Sequence, residues 1–262
     1  MVSVSVVSGG TLDSQANGPD IMESLSQDYS PPDFSSNCAR KMIKLFTTIF
    51  TLAVSFVTVT AQAQDIKGDA KAGETKNAMC IGCHGIKGYQ ASFPEVYKVP
   101  MISGQGAKYI VSALNAYKKG ERKHPTMRGI AEALSDQDMA DLAAHYSADG
   151  VPAAAPVAAT VKEPSAAVLA LLNKANCASC HGANFSKPID PTYPKIAGQH
   201  ADYLFVALKS YKTDPGNAKV GRGNAIMAGM AKQYTNAELK QLAGYLSSVD
   251  GELKTIPQAR FR

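Results

Sequence analysis

Apolar residues recur at helical spacing along most of the chain, and the pattern occurs twice. Met139, Leu142, Ala143 and Tyr146 form an i, i+3, i+4, i+7 stripe. Leu239, Leu242, Ala243 and Leu246 form the same stripe at a shift of 100. Each stripe follows a capping box or a close variant, Ser135-x-x-Asp138 and Thr235-x-x-Glu238, whose side chains satisfy free amides at a helix start. A second pair of segments carries Tyr109, Ala113, Leu114 and Tyr117, then Tyr203, Ala207, Leu208 and Tyr211 at a shift of 94. That spacing keeps them on one helical face and reads as core packing. Further upstream, Asp69 to His84 reads as an alanine-rich helix, and Ser165 to His181 as its counterpart with Val168, Leu171 and Leu172 on the apolar side. The pattern predicts an all-α chain of two tandem units, each of about three helices.

The loops repeat as well. Pro100-Met101-Ile102-Ser103-Gly104-Gln105 matches Pro194-Lys195-Ile196-Ala197-Gly198-Gln199. After Lys212 the second copy carries six extra residues in a glycine-rich loop, so that Arg122 and Met127 meet Arg222 and Met227. Residues 64–149 form the first unit, 150–164 an Ala/Pro-rich, semi-extended linker, and 165–262 the second unit.

Residues 1–63 read as a leader. Arg40, Lys41 and Lys44 precede an apolar run from Leu45 to Val59, and Ala61-Gln62-Ala63 supplies a small-x-small cleavage pattern. Cleavage is expected after Ala63, with Met42 as the expected initiator. The leader holds three Lys/Arg and five Asp/Glu, leaving 24 basic and 17 acidic side chains in the mature chain. Up to Gly150 the mature chain carries 11 basic and 10 acidic side chains; beyond it, 13 and 7. The excess favours an acidic docking partner. No Lys/Arg cluster interleaved with aromatics supports nucleic-acid binding, and membrane contact is expected only through partners unless the leader is retained.

The chemistry lies in one pentapeptide present twice, Cys80-Ile81-Gly82-Cys83-His84 and Cys177-Ala178-Ser179-Cys180-His181. Two thiols three positions apart on a helical turn can both add to one porphyrin, and the adjoining imidazole then faces the iron. A redox dithiol would sit beside a βαβ pattern, but no Val/Ile-rich strand flanks either site. Zinc needs four ligands per ion, and His124, His145 and His200 lack matching ligand spacing. A structural disulfide leaves the repeated histidine unexplained. Two haem c groups are therefore expected, forming a large part of each small core, so that neither unit folds without haem. Covalent haem attachment in bacteria takes place outside the cytoplasmic membrane, which puts the mature chain in the periplasm. Cys38 leaves with the leader, and the motifs consume the other four cysteines.

His84 and His181 supply one axial ligand each. Among the mature methionines only Met127 and Met227 match each other in the repeat; they are expected in non-helical loops before the last helix, reaching back as the second ligand. Histidine and methionine together close both axial positions, so the expected chemistry is outer-sphere one-electron transfer. His124, His145 and His200 lack histidine at their repeat positions and are expected at the surface. Arg122 and Arg222 either pair with haem propionates or are solvated.

Taken together, C-x-x-C-H, P-x-I-x-G-Q, the tyrosine-bearing helix, the late methionine and the capped last helix, each present twice, make the chain resemble a two-haem class I cytochrome c of the cytochrome c-four type. The resemblance covers nearly all of the mature chain. It implies two helical domains about a pseudo-twofold axis and periplasmic electron delivery, often from a quinol-oxidising complex toward a terminal oxidase. It also implies that the Pro100 and Pro194 carbonyls accept from Nδ1 of His84 and His181. The long linker and the enlarged loop before Met227 depart from the family and put close packing of the domains in question. An alternative is the cytochrome subunit of a periplasmic dehydrogenase, such as flavocytochrome sulfide dehydrogenase. A dihaem peroxidase or a thiosulfate-oxidising enzyme needs an open iron or a spare thiolate, which the ligand assignment does not leave.

Overall fold

The computed structural model describes residues 66–149 and 162–257. The expected leader with its cleavage site, and the linker as far as residue 161, lie outside the described residues. In the first half the helices are α1 (Ala70–Lys76), α2 (Ala78–His84), α3 (Ala107–Lys118), α4 (Pro125–Glu132) and α5 (Asp136–Ala148). In the second half they are α6 (Ala166–Lys174), α7 (Cys177–His181), α8 (Ala201–Ser210), α9 (Ala225–Lys232) and α10 (Asn236–Ser248). Four two-residue strands complete the set: β1 (Gln90–Ala91), β2 (Tyr97–Lys98), β3 (Arg122–Lys123) and β4 (Gly221–Arg222). Each half therefore has five helical segments where the periodicity predicts about three. Among the described residues no helix is long and apolar enough to cross a membrane.

The first expected helix of each half is broken in two. The Asn77 side chain is fully buried, its amide 3.2 Å from Nε2 of His145, and its backbone turns to ψ 0 between α1 and α2. Asn176 adopts the left-handed conformation before α7, which asparagine tolerates better than most residues. The stub α1 crosses α5 at Gly73, where a Cβ would fall 2.1 Å from the Asp141 carbonyl oxygen. Lys76 secures the crossing by pairing with Asp141 at 2.6 Å and Asp138 at 2.7 Å.

Helices α4 and α9 correct the expectation that Met127 and Met227 lie in non-helical loops. Both methionines occupy the third position of a short helix, and each donates its backbone N–H to a cap residue: His124 Nδ1 at 3.3 Å and Asn224 Oδ1 at 2.9 Å. Pro125, at the first turn of α4, has its φ preset for a helix start. Both expected capping boxes are present, on α5 and α10.

The last helix anchors each core. Leu142, Ala143 and Tyr146 of α5 bury against Ile110 of α3. Leu239, Leu242, Ala243 and Leu246 of α10 bury against Leu172, Phe185 and Leu204.

Despite the linker, the halves are closely packed about a pseudo-twofold relation, which removes the doubt raised by the family departures. Gly104 and Gly198 both have positive φ, and their amides bond to the Tyr146 and Leu246 carbonyls at 2.8 and 2.9 Å. This turn sends the next residue, glutamine in each case, into the opposite half. Gln105 donates to the Lys195 carbonyl at 3.0 Å and accepts from the Lys195 amide at 2.9 Å. Gln199 does the same to Met101, at 2.9 and 3.0 Å. Strand β3 pairs antiparallel with β4, setting Arg122 opposite Arg222. The enlarged loop reinforces the join, because Lys123 donates through Nζ to the Pro215 and Asn217 carbonyls.

Candidate cofactor sites

In each half the C-x-x-C-H residues close a short helix. Cys80 and Cys83 lie on α2 with His84 at its end; Cys177 and Cys180 lie on α7 with His181 at its end. All four cysteine side chains are half-buried.

The imidazoles are oriented by backbone. His84 Nδ1 is 2.8 Å from the Pro100 carbonyl oxygen, and His181 Nδ1 is 3.0 Å from that of Pro194. A carbonyl only accepts, so each Nδ1 carries the proton and Nε2 keeps its lone pair for a metal. Burial lowers the pKa of both histidines, outweighing the proline carbonyls, and keeps the rings neutral.

The residues present fit a porphyrin. Around the buried core of the first half, Ile102, Val111, Leu114 and Leu134 are only partly covered, next to Cys80. In the second half Val168, Leu171, Ile196 and Leu208 hold that position, next to Cys177. These are the apolar surfaces a flat macrocycle needs.

Arg122 is buried and Arg222 half-buried, and neither has a salt bridge among the described residues. Arg122 is 9% exposed, its guanidinium carbon 4.7 Å from the Tyr117 ring centre and 5.9 Å from that of Tyr109. Arg222 sits 5.5 Å from the ring centres of both Tyr203 and Tyr211. The Tyr203 hydroxyl accepts from Arg222 at 3.1 Å and from Arg122 at 3.4 Å. Burial pushes the Tyr203 phenol up, but the two guanidiniums outweigh it and bring it to about 8. The Arg122 Nε–H has no acceptor. Two adjacent guanidiniums, one buried and one half-buried and without a carboxylate partner among the described residues, suit an anionic group, such as the propionates that haem carries.

This cluster also corrects the reading of Tyr109, Tyr117, Tyr203 and Tyr211 as core packing: their rings flank the guanidiniums at the join. The three spare histidines are half-buried rather than at the surface. His124 caps α4 and meets the Tyr97 hydroxyl at 3.0 Å, and His145 meets Asn77. Sequence reasoning missed the Gln105 and Gln199 clamp. The signal was a glutamine at the end of both P-x-I-x-G-Q segments, a polar residue repeated where only packing was expected.

Paired thiols with an adjoining, backbone-oriented imidazole, set twice in a helical frame, define a protein of two c-type haem sites. The cytochrome c family matches residues 70–146 and again 165–250, and the chain belongs to that family. Within it the chain is a dihaem protein of the cytochrome c4 type, carrying two haem c groups. It is 31% identical to cytochrome c4 of Stutzerimonas stutzeri over 70% of this chain and 90% of that protein. It is 29% identical to cytochrome c4 of Azotobacter vinelandii over 78% of this chain and 98% of that one. It is also 29% identical to a thiosulfate dehydrogenase electron acceptor of Stutzerimonas stutzeri strain A1501, over 75% of this chain and 92% of that protein. The chain is a c-type cytochrome electron carrier.

Proposed function

We propose that the chain works in the periplasm as a carrier of single electrons between respiratory partners, with His84 and Met127 as axial ligands of one haem and His181 and Met227 of the other. Bound haem supplies a reversible one-electron iron couple. The chain's residues orient the imidazoles through Pro100 and Pro194, tether the rings through four cysteines, and close both axial positions so that substrates do not reach iron. Arg122 and Arg222 receive propionates at the join. The observation that carries this reading is the Nδ1 contact to a proline carbonyl at 2.8 and 3.0 Å, which leaves Nε2 of each histidine as the metal donor in both halves. Residues 1–63 export the chain and are removed after Ala63. A quinol-oxidising complex is the proposed donor and a terminal oxidase the proposed acceptor.

The test is a redox-titrated visible spectrum of the purified protein. The expected result is two low-spin c-type haems with the weak thioether-to-iron band near the red end. Avid carbon monoxide binding by the reduced form would overturn the ligand assignment. A second reading rests on the name of the relative from strain A1501: the donor is a periplasmic dehydrogenase rather than a quinol-oxidising complex. Rapid reduction by a purified thiosulfate dehydrogenase, with none by a quinol-oxidising complex, would select it.

A further inference from the structure

The two methionines that close the axial positions are held at the backbone by unlike residues in matching places. The Met227 amide donates to the Asn224 side chain at 2.9 Å, and Asn224 is exposed. The Met127 amide donates to Nδ1 of His124 at 3.3 Å, and His124 is half-buried. An imidazole nitrogen that accepts carries no proton, so the ring proton sits on Nε2. That atom is 3.0 Å from the Tyr97 hydroxyl, which therefore accepts from it. One cap is an exposed amide; the other is a ring held at both ends.

What holds Tyr97 comes from the other half. Tyr97 lies in β2 and is buried, its ring centre 6.1 Å from that of Tyr203 on α8. The adjoining Lys98 donates its amide to Asp202 at 3.0 Å, and its ammonium lies 3.5 Å from the same carboxylate. Glu95, two residues before Tyr97, pairs with Lys209 at 2.5 Å. Asp202, Tyr203 and Lys209 all belong to α8. One helix of the second half thus fixes the segment that backs the cap of Met127.

We propose, on the axial assignment above, that Tyr97 and His124 are positioning residues for Met127, through which the docked second half keeps that methionine on its iron. A thioether is held no more firmly than the backbone it hangs from. Helix α4 has eight residues, too few to be stable alone, and its start depends on the cap. Undocking frees residues 95–98, lets the His124 ring turn, and uncaps the turn that carries Met127.

The test uses the reduced full-length holoprotein. Proton NMR reads the ligated methionine methyls, one per haem, and Met127→Ala assigns the first; carbon monoxide titration reads how readily that methionine gives way. His124→Ala should raise carbon monoxide affinity at the first haem about tenfold, the equivalent of one lost cap. Tyr97→Phe and Asp202→Ala should raise it several-fold, with the Met227 methyl unmoved. His124→Asn, which supplies the cap Met227 already has, should keep the parent affinity, and adding Asp202→Ala to it should change nothing further, because the link to the other half is gone. Failure of Met127→Ala to remove either methyl signal would overturn the axial assignment and the proposal together. Loss of one signal in Met127→Ala, with parent affinity in both His124→Ala and Tyr97→Phe, would overturn the proposal alone. So would an undiminished effect of Asp202→Ala in the His124→Asn background, or equal disturbance of both methyls.

Discussion

Removing the glutamine clamp should convert one cooperative protein into two loosely joined ones. Gln105→Ala deletes three hydrogen bonds: to the Lys195 carbonyl at 3.0 Å, from the Lys195 amide at 2.9 Å and from the Gly106 amide at 2.9 Å. Gln105 is 4% exposed, so water does not readily replace it. Two of the three cross the join, so at a net contribution of about 1 kcal/mol each, docking loses about 2 kcal/mol. That is about one and a half powers of ten in the equilibrium between docked and undocked halves. Gln199→Ala deletes the matching bonds to Met101 and its own bond from the His200 amide at 3.0 Å. Because both act on one join, the double variant should lose less than the sum. The assay is guanidinium unfolding of the oxidised holoprotein, followed by haem absorbance and far-ultraviolet circular dichroism. The parent should show one transition and the double variant two, one per half. A single transition at the parent midpoint in the double variant would refute the reasoning.

Exchanging Met127 or Met227 for alanine should lower one reduction potential and open that iron to imidazole or carbon monoxide, read by potentiometry and visible spectra. Unchanged spectra in both variants would remove the ligand assignment. Asp138 and Asp141 are held below the usual carboxylate range chiefly by hydrogen bonds from Lys76. The stability this gives is complete above the unfolded carboxylate value of about pH 4 and is lost as pH falls through the lower folded values. Lys76→Met should therefore flatten the loss of thermal stability on acidification, and an unchanged pH profile would count against the ion pairs. Docking to an acidic partner should slow as salt rises, in line with a basic second half, and stopped-flow rates independent of salt would exclude electrostatic steering.

Much of the architecture was legible because it is written twice. The stripes of α5 and α10, their capping boxes and the cysteine motifs repeat at fixed shifts, so each copy corroborated the other. What was not legible has a common cause. Asn77 and Asn176 break helices through backbone geometry that periodicity does not register. Helices α4 and α9 are eight residues each, too short for a full stripe to appear, although the His124-Pro125 start was available as a cap signal. The tyrosines share one helical face, as predicted, but their rings hold Arg122 and Arg222 at the join rather than packing into a core. Gln105 and Gln199 likewise act across the join. Their partners come from the opposite copy, and aligning the copies shows which residues correspond, not which ones touch.

The grip of Lys123 on the Pro215–Asn217 loop has no mirror image, since the first half lacks those six residues. A true homodimer would look the same to a visitor arriving from either direction. This chain presents two unlike halves, so a protein surface that fits one of them does not find a copy of it on the other.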